Sequence, residues 1–480
     1  MTRWFSSRGV GRALAGLSVC LSLLACGRAG LLPAASSAGS QRLAVRQVSD
    51  PAAPFPGDFL WGVATSGHQS EGGDQTSNWA AWGRAGKVAQ PIGPAIDFWN
   101  RYEEDLDLAA GLGLKAFRFS LEWARIEPEP GVFDPQAVQH YHDLLTAVRA
   151  RGMTPIVTLV HFSYPAWLDQ ADPQGRRGWE SDRMPEQFAR FAGWAAQEYG
   201  SAVDWWLTIN EPNTYALVGY MAGMMPPGKV NPWAYAAVMA NISKAHKAGY
   251  EAIHAHDTVA RVSINPIVIH ARNADPDYPG EREEKLDGPL NKGFYVDVLS
   301  FFDQFAPRRT GTSGTPAAPQ AKRHLDFMAF NYFYAVKAHE LPLIGNYERW
   351  PLYPEGLYEV AKKLHGRYQL PLMVTENGMP TPSDNPRPDG WTREAYIVNH
   401  LLHLRRAMAE GVPVLGYMHW TLVDNYEWGS YEPKFGLFGV DRRDPQLRRF
   451  PTASAAVYEA IVKQNRIPPY LLERYQGRRR

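Results

Sequence analysis

Residues 116–160 read AFRFSLEWARIEPEPGVFDPQAVQHYHDLLTAVRARGMTPIVTLV, and this one stretch carries a strand, a helix and a second strand. Its two ends, 116–123 and 154–160, are short β-rich runs, the second almost wholly Pro, Ile, Val, Thr and Leu. Runs of this kind suit strands buried on both faces of a parallel sheet. Between them Val138, Tyr141, Leu144 or Leu145, and Val148 recur at intervals of three and four. That spacing is the apolar stripe of a helix. Strand, helix and strand in sequence point to an α/β architecture.

The same alternation continues in both directions. Apolar or β-rich runs occupy 59–65, 116–123, 154–160, 204–210, 262–269, 326–333, 371–377 and 413–422. Phe98, Tyr102, Leu106, Ala109 and Leu112 mark another helix by their spacing. Eight such units predict a single (β/α)8 barrel, a TIM barrel with long βα loops, over residues 55–480. No internal repeat is visible in the sequence. The Gly-, Pro-, Thr- and Ala-rich stretch 307–322 predicts a long loop before the sixth strand.

Composition narrows the function. Hydrophobic residues make up 45% and charged residues 21% of the 480, enough for a large core. The net charge is +1 with no basic stripe, which argues against a nucleic-acid partner. The run Arg478-Arg479-Arg480 reads as a solvated end. Sixteen tryptophans provide flat apolar faces that suit sugar rings as well as a core. The only cysteines are Cys20 and Cys26, so the body from 55 onward has no disulfide, thiol nucleophile or Cys-ligated zinc. No cluster has metal-ligand spacing, and neither metal nor cofactor is expected.

Residues 1–26 read as an export signal. Arg3, Arg8 and Arg12 precede an apolar stretch, 13–25, that falls short of the roughly 20 residues a bilayer requires. It closes on LLACG at 23–27, similar to a bacterial lipobox, although Leu24 is an unusual residue at its place. That similarity implies cleavage before Cys26 and a lipid on its sulfur. Plain secretion and an uncleaved anchor are the alternatives. Residues 27–54, rich in Ala, Ser, Gly and Pro, read as a flexible tether. The expectation is an exported protein, periplasmic, secreted or held at the cell envelope, that meets a membrane only through its N-terminal lipid.

In a barrel of this kind the chemistry lies at the C-terminal ends of the strands. The fourth run ends TINEPN at 208–213 and the seventh ends VTENG at 374–378, so Glu211 and Glu376 each follow an apolar run. A carboxylate there is costly unless it is paired. The plain reading is two helix-capping glutamates. The alternative is a pair facing each other across the barrel mouth. Such a pair suits retaining glycoside hydrolysis at about 5–5.5 Å and inverting hydrolysis at a wider gap. Sequence supplies no distance.

TINEPN and VTENG resemble the two catalytic motifs of glycoside hydrolase family 1, the β-glucosidase family. FLWGVATSGHQSEG (59–72), FRFSLEWARI (117–126), TLVHFSYPAWL (158–168), YMAGMMPPG (220–228) and GYMHWTLVDNYEWGSYEPKFGLFGVD (416–441) are similar to other family motifs, in family order. The resemblance covers about 55–465. It implies a retaining β-glycosidase acting on an oligosaccharide or other β-glycoside, with Glu376 as nucleophile and Glu211 as acid/base. By the same resemblance Arg118 lies beside the nucleophile and Asn210 serves the sugar 2-hydroxyl. Gln69, His161, Asn331, Trp420, Glu427 and Trp428 are similar to residues that bind the sugar. An acidic Glu427 argues against a 6-phosphosugar, whose dianion it would repel.

The pattern breaks in four places. Phe333 stands where relatives commonly have a tyrosine that contacts the nucleophile, which leaves Tyr334 or another hydroxyl to replace it. The segment 161–165 departs from the common form, which has an acidic residue near Ser163. Residues 428–435 look one residue short, and 270–322 match poorly. Segment 431–441 also resembles a galactolipid galactosyltransferase branch of the family. A glycosyl transferase with lipid or sugar acceptors is therefore one rival reading, and an inactive sugar-binding barrel is another.

Overall fold

The computed structural model describes residues 50, 52–272, 298–299, 301–306, 323–337, 347, 350–381 and 387–478. The leader, Cys26, the tether up to residue 49 and the expected loop 307–322 lie outside them.

All eight expected strands form. They are β1 (Leu60–Ala64), β2 (Ala116–Ser120), β3 (Thr154–Val160), β4 (Trp205–Asn210), β5 (Arg261–Asn265), β6 (Met328–Asn331), β7 (Leu372–Asn377) and β8 (Val414–Trp420). Every neighbouring pair is parallel, and β8 pairs with β1, Leu60 beside Gly416 and Ala64 beside Trp420. The ring closes between β5 and β6. There Ile267 bridges to Asn331, the amide of Asp326 donates to Val262 O at 3.0 Å, and Ser263 Oγ donates to Phe327 O at 2.8 Å. Every residue of β2, β4 and β7 is buried. Both faces are covered, which is why these runs lack polar alternation.

Several strands stop earlier than the apolar runs. β5 ends at Asn265 because Pro266 has no N–H to continue the ladder. β2 ends at Ser120 because Trp123–Ile126 already turns into a helix. Between strands, the helices begin at sequence-encoded caps. Asp134 accepts from the amides of Gln136 and Ala137 ahead of Pro135–Ala150, and Asn231 does the same for Pro232–His256. Each helix then opens with a proline, whose missing N–H is not needed there. At β1, Gly62 passes so close to β2 that a Cβ would lie 2.7 Å from Ala116 O. Only glycine lets the sheet curve this tightly at that point.

Candidate active site

Side chains from β2, β3, β4, β5, β6 and β7 converge on one polar network. Arg118, fully buried on β2, is its centre. Its Nε donates to Thr158 Oγ1 at 3.1 Å, and one terminal nitrogen donates to Thr375 O at 3.0 Å and to Glu376 Oε1 at 2.5 Å. The other terminal nitrogen donates to Asn210 Oδ1 at 2.8 Å. A buried guanidinium requires this many acceptors, and their fixed fork sets where Glu376 lies.

Asn210 Oδ1 also accepts from Asn265 Nδ2 at 2.6 Å and from Asn331 Nδ2 at 3.3 Å. With its oxygen so committed, its Nδ2 donates to His161 Nε2, 3.0 Å away. His161 Nε2 is therefore the acceptor, and the ring proton sits on Nδ1. Burial and the charge of Arg118 hold the imidazole well below its ordinary pKa, so it stays neutral. Nδ1 is buried and has no protein partner. It is a donor ready for a hydroxyl.

Glu211 sits at the start of the helix Pro212–Tyr220 in a left-handed conformation, φ 38° and ψ 54°. For a residue with a side chain that costs roughly 1–2 kcal/mol. Phe162 and Trp428 have the same handedness, φ 67° and 45°. Each of the three either is, or directly follows, a polar residue of the network. Strain of this kind collects where surrounding structure holds side chains for chemistry.

The two carboxylates differ in their surroundings. Glu211 Oε1 accepts from Asn331 Nδ2 at 2.9 Å. Burial first, then the charge on Glu376, pushes its carboxyl up to about 8, against smaller effects of Asn331, Thr214 and Arg118. Burial also raises Glu376, but there the guanidinium bonded to it is the leading opposing effect. The pair is thus polarised, with the negative charge favoured on Glu376 and the proton on Glu211.

Both carboxylates open into one cavity of about 130 Å3. His161, Trp420, Glu427 and Trp428 form one side of it. The His161 ring stacks near both indoles, at 5.7 and 5.8 Å. Trp420 Nε1 donates to Glu427 Oε1 at 3.1 Å. Burial, reinforced by Glu376 and Glu211, lifts Glu427 to about 8. That shift favours the protonated carboxyl, which weakens the repulsion of a phosphate expected from its identity. No lysine or arginine is among the described lining residues.

Two of the sugar-binding candidates are set back from the described lining. Gln69 is buried behind Glu427, where Nε2 donates to Tyr426 O at 2.9 Å and Oε1 accepts from Ser66 Oγ at 2.8 Å. Asn331 holds Glu211 and Asn210 together. Phe333 lines the cavity, its ring 5.7 Å from Trp350 and 6.2 Å from Phe435. Among the described residues no tyrosine hydroxyl bonds Glu376, and Tyr334 lies within the electrostatic reach of Glu211. Ser163 Oγ donates to Glu122 Oε2 at 2.7 Å, just past the end of β2. Sequence reasoning did not single out Glu122, Asn265, Thr158 or Thr375. Asn265 and Thr375 do lie at strand ends, which was the available signal.

The profile of glycosyl hydrolase family 1 matches residues 52–343 and 337–467. A β-galactosidase of Sulfolobus acidocaldarius is 31% identical, covering 87% of this chain and 96% of that protein. β-Glucosidase A of Thermotoga maritima is 29% identical over 86% and 98%. The structure superposes on a β-glycosidase from Pyrococcus horikoshii with a TM-score of 0.74 at 32% identity, covering 88% and 98%.

Proposed function

The chain belongs to glycosyl hydrolase family 1 and is a retaining β-glycosidase; from that premise we propose that Glu376 is its nucleophile, Glu211 its acid/base, and terminal β-glucosyl or β-galactosyl residues its substrates. In the first step a Glu376 oxygen bonds to the anomeric carbon as the glycosidic bond breaks, and the proton of Glu211 passes to the leaving oxygen. In the second, Glu211, now a carboxylate, takes a proton from water. The resulting hydroxide displaces Glu376 from the anomeric carbon, and two inversions leave the configuration unchanged. Glu211 must begin protonated and end as a base. Forming the glycosyl ester removes the Glu376 charge that raises it, so its pKa falls when a base is needed.

The observation that carries this assignment is the asymmetry of Arg118, which bonds Glu376 and does not bond Glu211. The Nδ1–H of His161 and the Glu427 carboxyl offer partners for sugar hydroxyls, and the Trp420 and Trp428 faces suit the ring. With both carboxylates opening into one cavity and Arg118 bonded to Glu376, catalysis is favoured over binding alone, and the relatives' names favour hydrolysis over transfer. The relatives' names support glucose and galactose configurations without choosing between them. The leader supports export with a lipid on Cys26.

Glu376→Ala, assayed on aryl β-glucoside and β-galactoside with and without azide, tests the roles. The expected result is loss of hydrolysis and recovery through an α-glycosyl azide. A β-configured azide product, or a Glu376→Ala enzyme that keeps its rate, would exclude Glu376 as nucleophile. Metabolic labelling with a fatty acid, compared with Cys26→Ser, tests the anchor.

A further inference from the structure

The sugar-binding groups and the acid/base define a direction across the cavity. His161 at the end of β3, with Trp420, Glu427 and Trp428 after β8, takes one side. The leaving oxygen lies at Glu211, so the leaving group extends the other way, over the ends of β4, β5 and β6. That side is hydrocarbon. Leu217 and Val218 come from the helix after Glu211, Met225 from the loop that follows, and Ile267 and Ile269 from beyond β5. Trp350 and the rings of Tyr334 and Tyr347 complete it.

The polar atoms on this side are largely in use. Asn213 spends its amide on Ile267, donating to its carbonyl at 2.9 Å and accepting from its N–H at 3.2 Å. Thr214 bonds Glu211. Two phenol hydroxyls remain among the described lining residues. Among the described side chains a second sugar would find only those two phenols as partners, and each hydroxyl left unpaired would cost ~1–3 kcal/mol. Exposed apolar side chains follow Met225's loop in the chain. The loop that carries Met225 folds back on the preceding helix, its Met224 amide donating to Val218 O at 2.9 Å. On and just past this loop, Met224, Val230 and Trp233 are 38%, 59% and 80% exposed.

We propose that Leu217, Val218, Met225, Ile267 and Ile269 select an apolar leaving group, so that the natural substrate is a β-glycoside of a hydrocarbon-like alcohol rather than an oligosaccharide. The proposal rests on the retaining-glycosidase reading and adds the aglycone class to it. Each methylene fully buried against this wall should raise kcat/KM about fourfold.

The test compares methyl, hexyl and octyl β-glycosides with a disaccharide of the same sugar. The β-glycosyl fluoride, which has no aglycone to place, is assayed alongside in each preparation. Expected is a rise in kcat/KM of tenfold or more from methyl to octyl, chiefly through KM, with the disaccharide no better than methyl. In Met225→Gln and in Leu217→Gln the octyl-to-fluoride ratio should fall severalfold, and the fluoride normalises for folded enzyme. A flat chain-length series, or a disaccharide turned over as well as the octyl glycoside, overturns the proposal while fluoride hydrolysis keeps the underlying reading intact. Failure to hydrolyse the fluoride removes that reading and this proposal together.

Discussion

Phe333→Tyr should move the acid side of the pH profile. Glu376 is bonded by Arg118 and Asn331 and by no tyrosine among the described residues. Phe333 and Glu376 line the same cavity, so a hydroxyl added to the ring enters the space that the carboxylate faces. A hydrogen bond donated to an ionised carboxylate is worth ~1.5–3 kcal/mol. At ~1.4 kcal/mol per pKa unit, that lowers Glu376 by roughly 1–2 units. The sign follows from the donor favouring the charged form. The acid limb of kcat/KM reports the nucleophile in the free enzyme, so its midpoint should move to lower pH by that amount. The assay is hydrolysis of an aryl β-glucoside across pH, with Phe333→Met as a control for altered packing. An acid limb that stays in place in a folded Tyr variant, or moves equally in the Met control, would refute the reasoning.

Three further expectations follow from the same site. The basic limb of kcat/KM should fall near pH 8, where Glu211 loses its proton; carbon-13 titration of Glu211 in Glu376→Gln should show its pKa lowered once the neighbouring charge is gone. Arg118→Lys keeps the charge but cannot bridge Thr158, Asn210 and Glu376 at once, so kcat/KM should drop about 10^2–10^4-fold; a loss under tenfold in steady-state assays would contradict this. Glu122 is buried with its pKa well above the ordinary value, so the stability it contributes is full below about 4.5 and is lost as pH rises toward its folded pKa. Glu122→Gln should therefore gain on the wild type in denaturant titrations by ~1.4 kcal/mol per pH unit across that window.

The strands were readable from the chain because most are buried on both faces, so nothing but apolar or β-branched side chains fits. Their ends were less readable, since Pro266 and the Glu122 turn end two of them by backbone chemistry inside an apolar run. Glu211 and Glu376 were visible as charges in the wrong company. Glu122 was not, because its pairing with Ser163 spans 41 positions and exists only once β2 and β3 lie side by side. Leu217, Val218 and Met225 looked like core. Only the folded cavity distinguishes a hydrocarbon wall facing a ligand from one facing another helix. Gln69 and Asn331 were recognisable as site residues, but their positions behind the lining required the network that holds them.

The seam of the barrel has a consequence for how the protein comes into being. Strands β1 to β5 are complete by residue 265, yet β6 begins at 328 and β8 ends at 420. Until the last third of the chain arrives, β1 and β5 are open edges of an unfinished sheet. Asn331, which closes one edge by its bridge to Ile267, is also the residue that holds Glu211. Glu376 arrives later still. The catalytic pair therefore has no partial form, and the first turnover of a newly made molecule marks the moment its ring has shut. Enzyme activity sampled during synthesis or refolding is thus a clock for barrel closure.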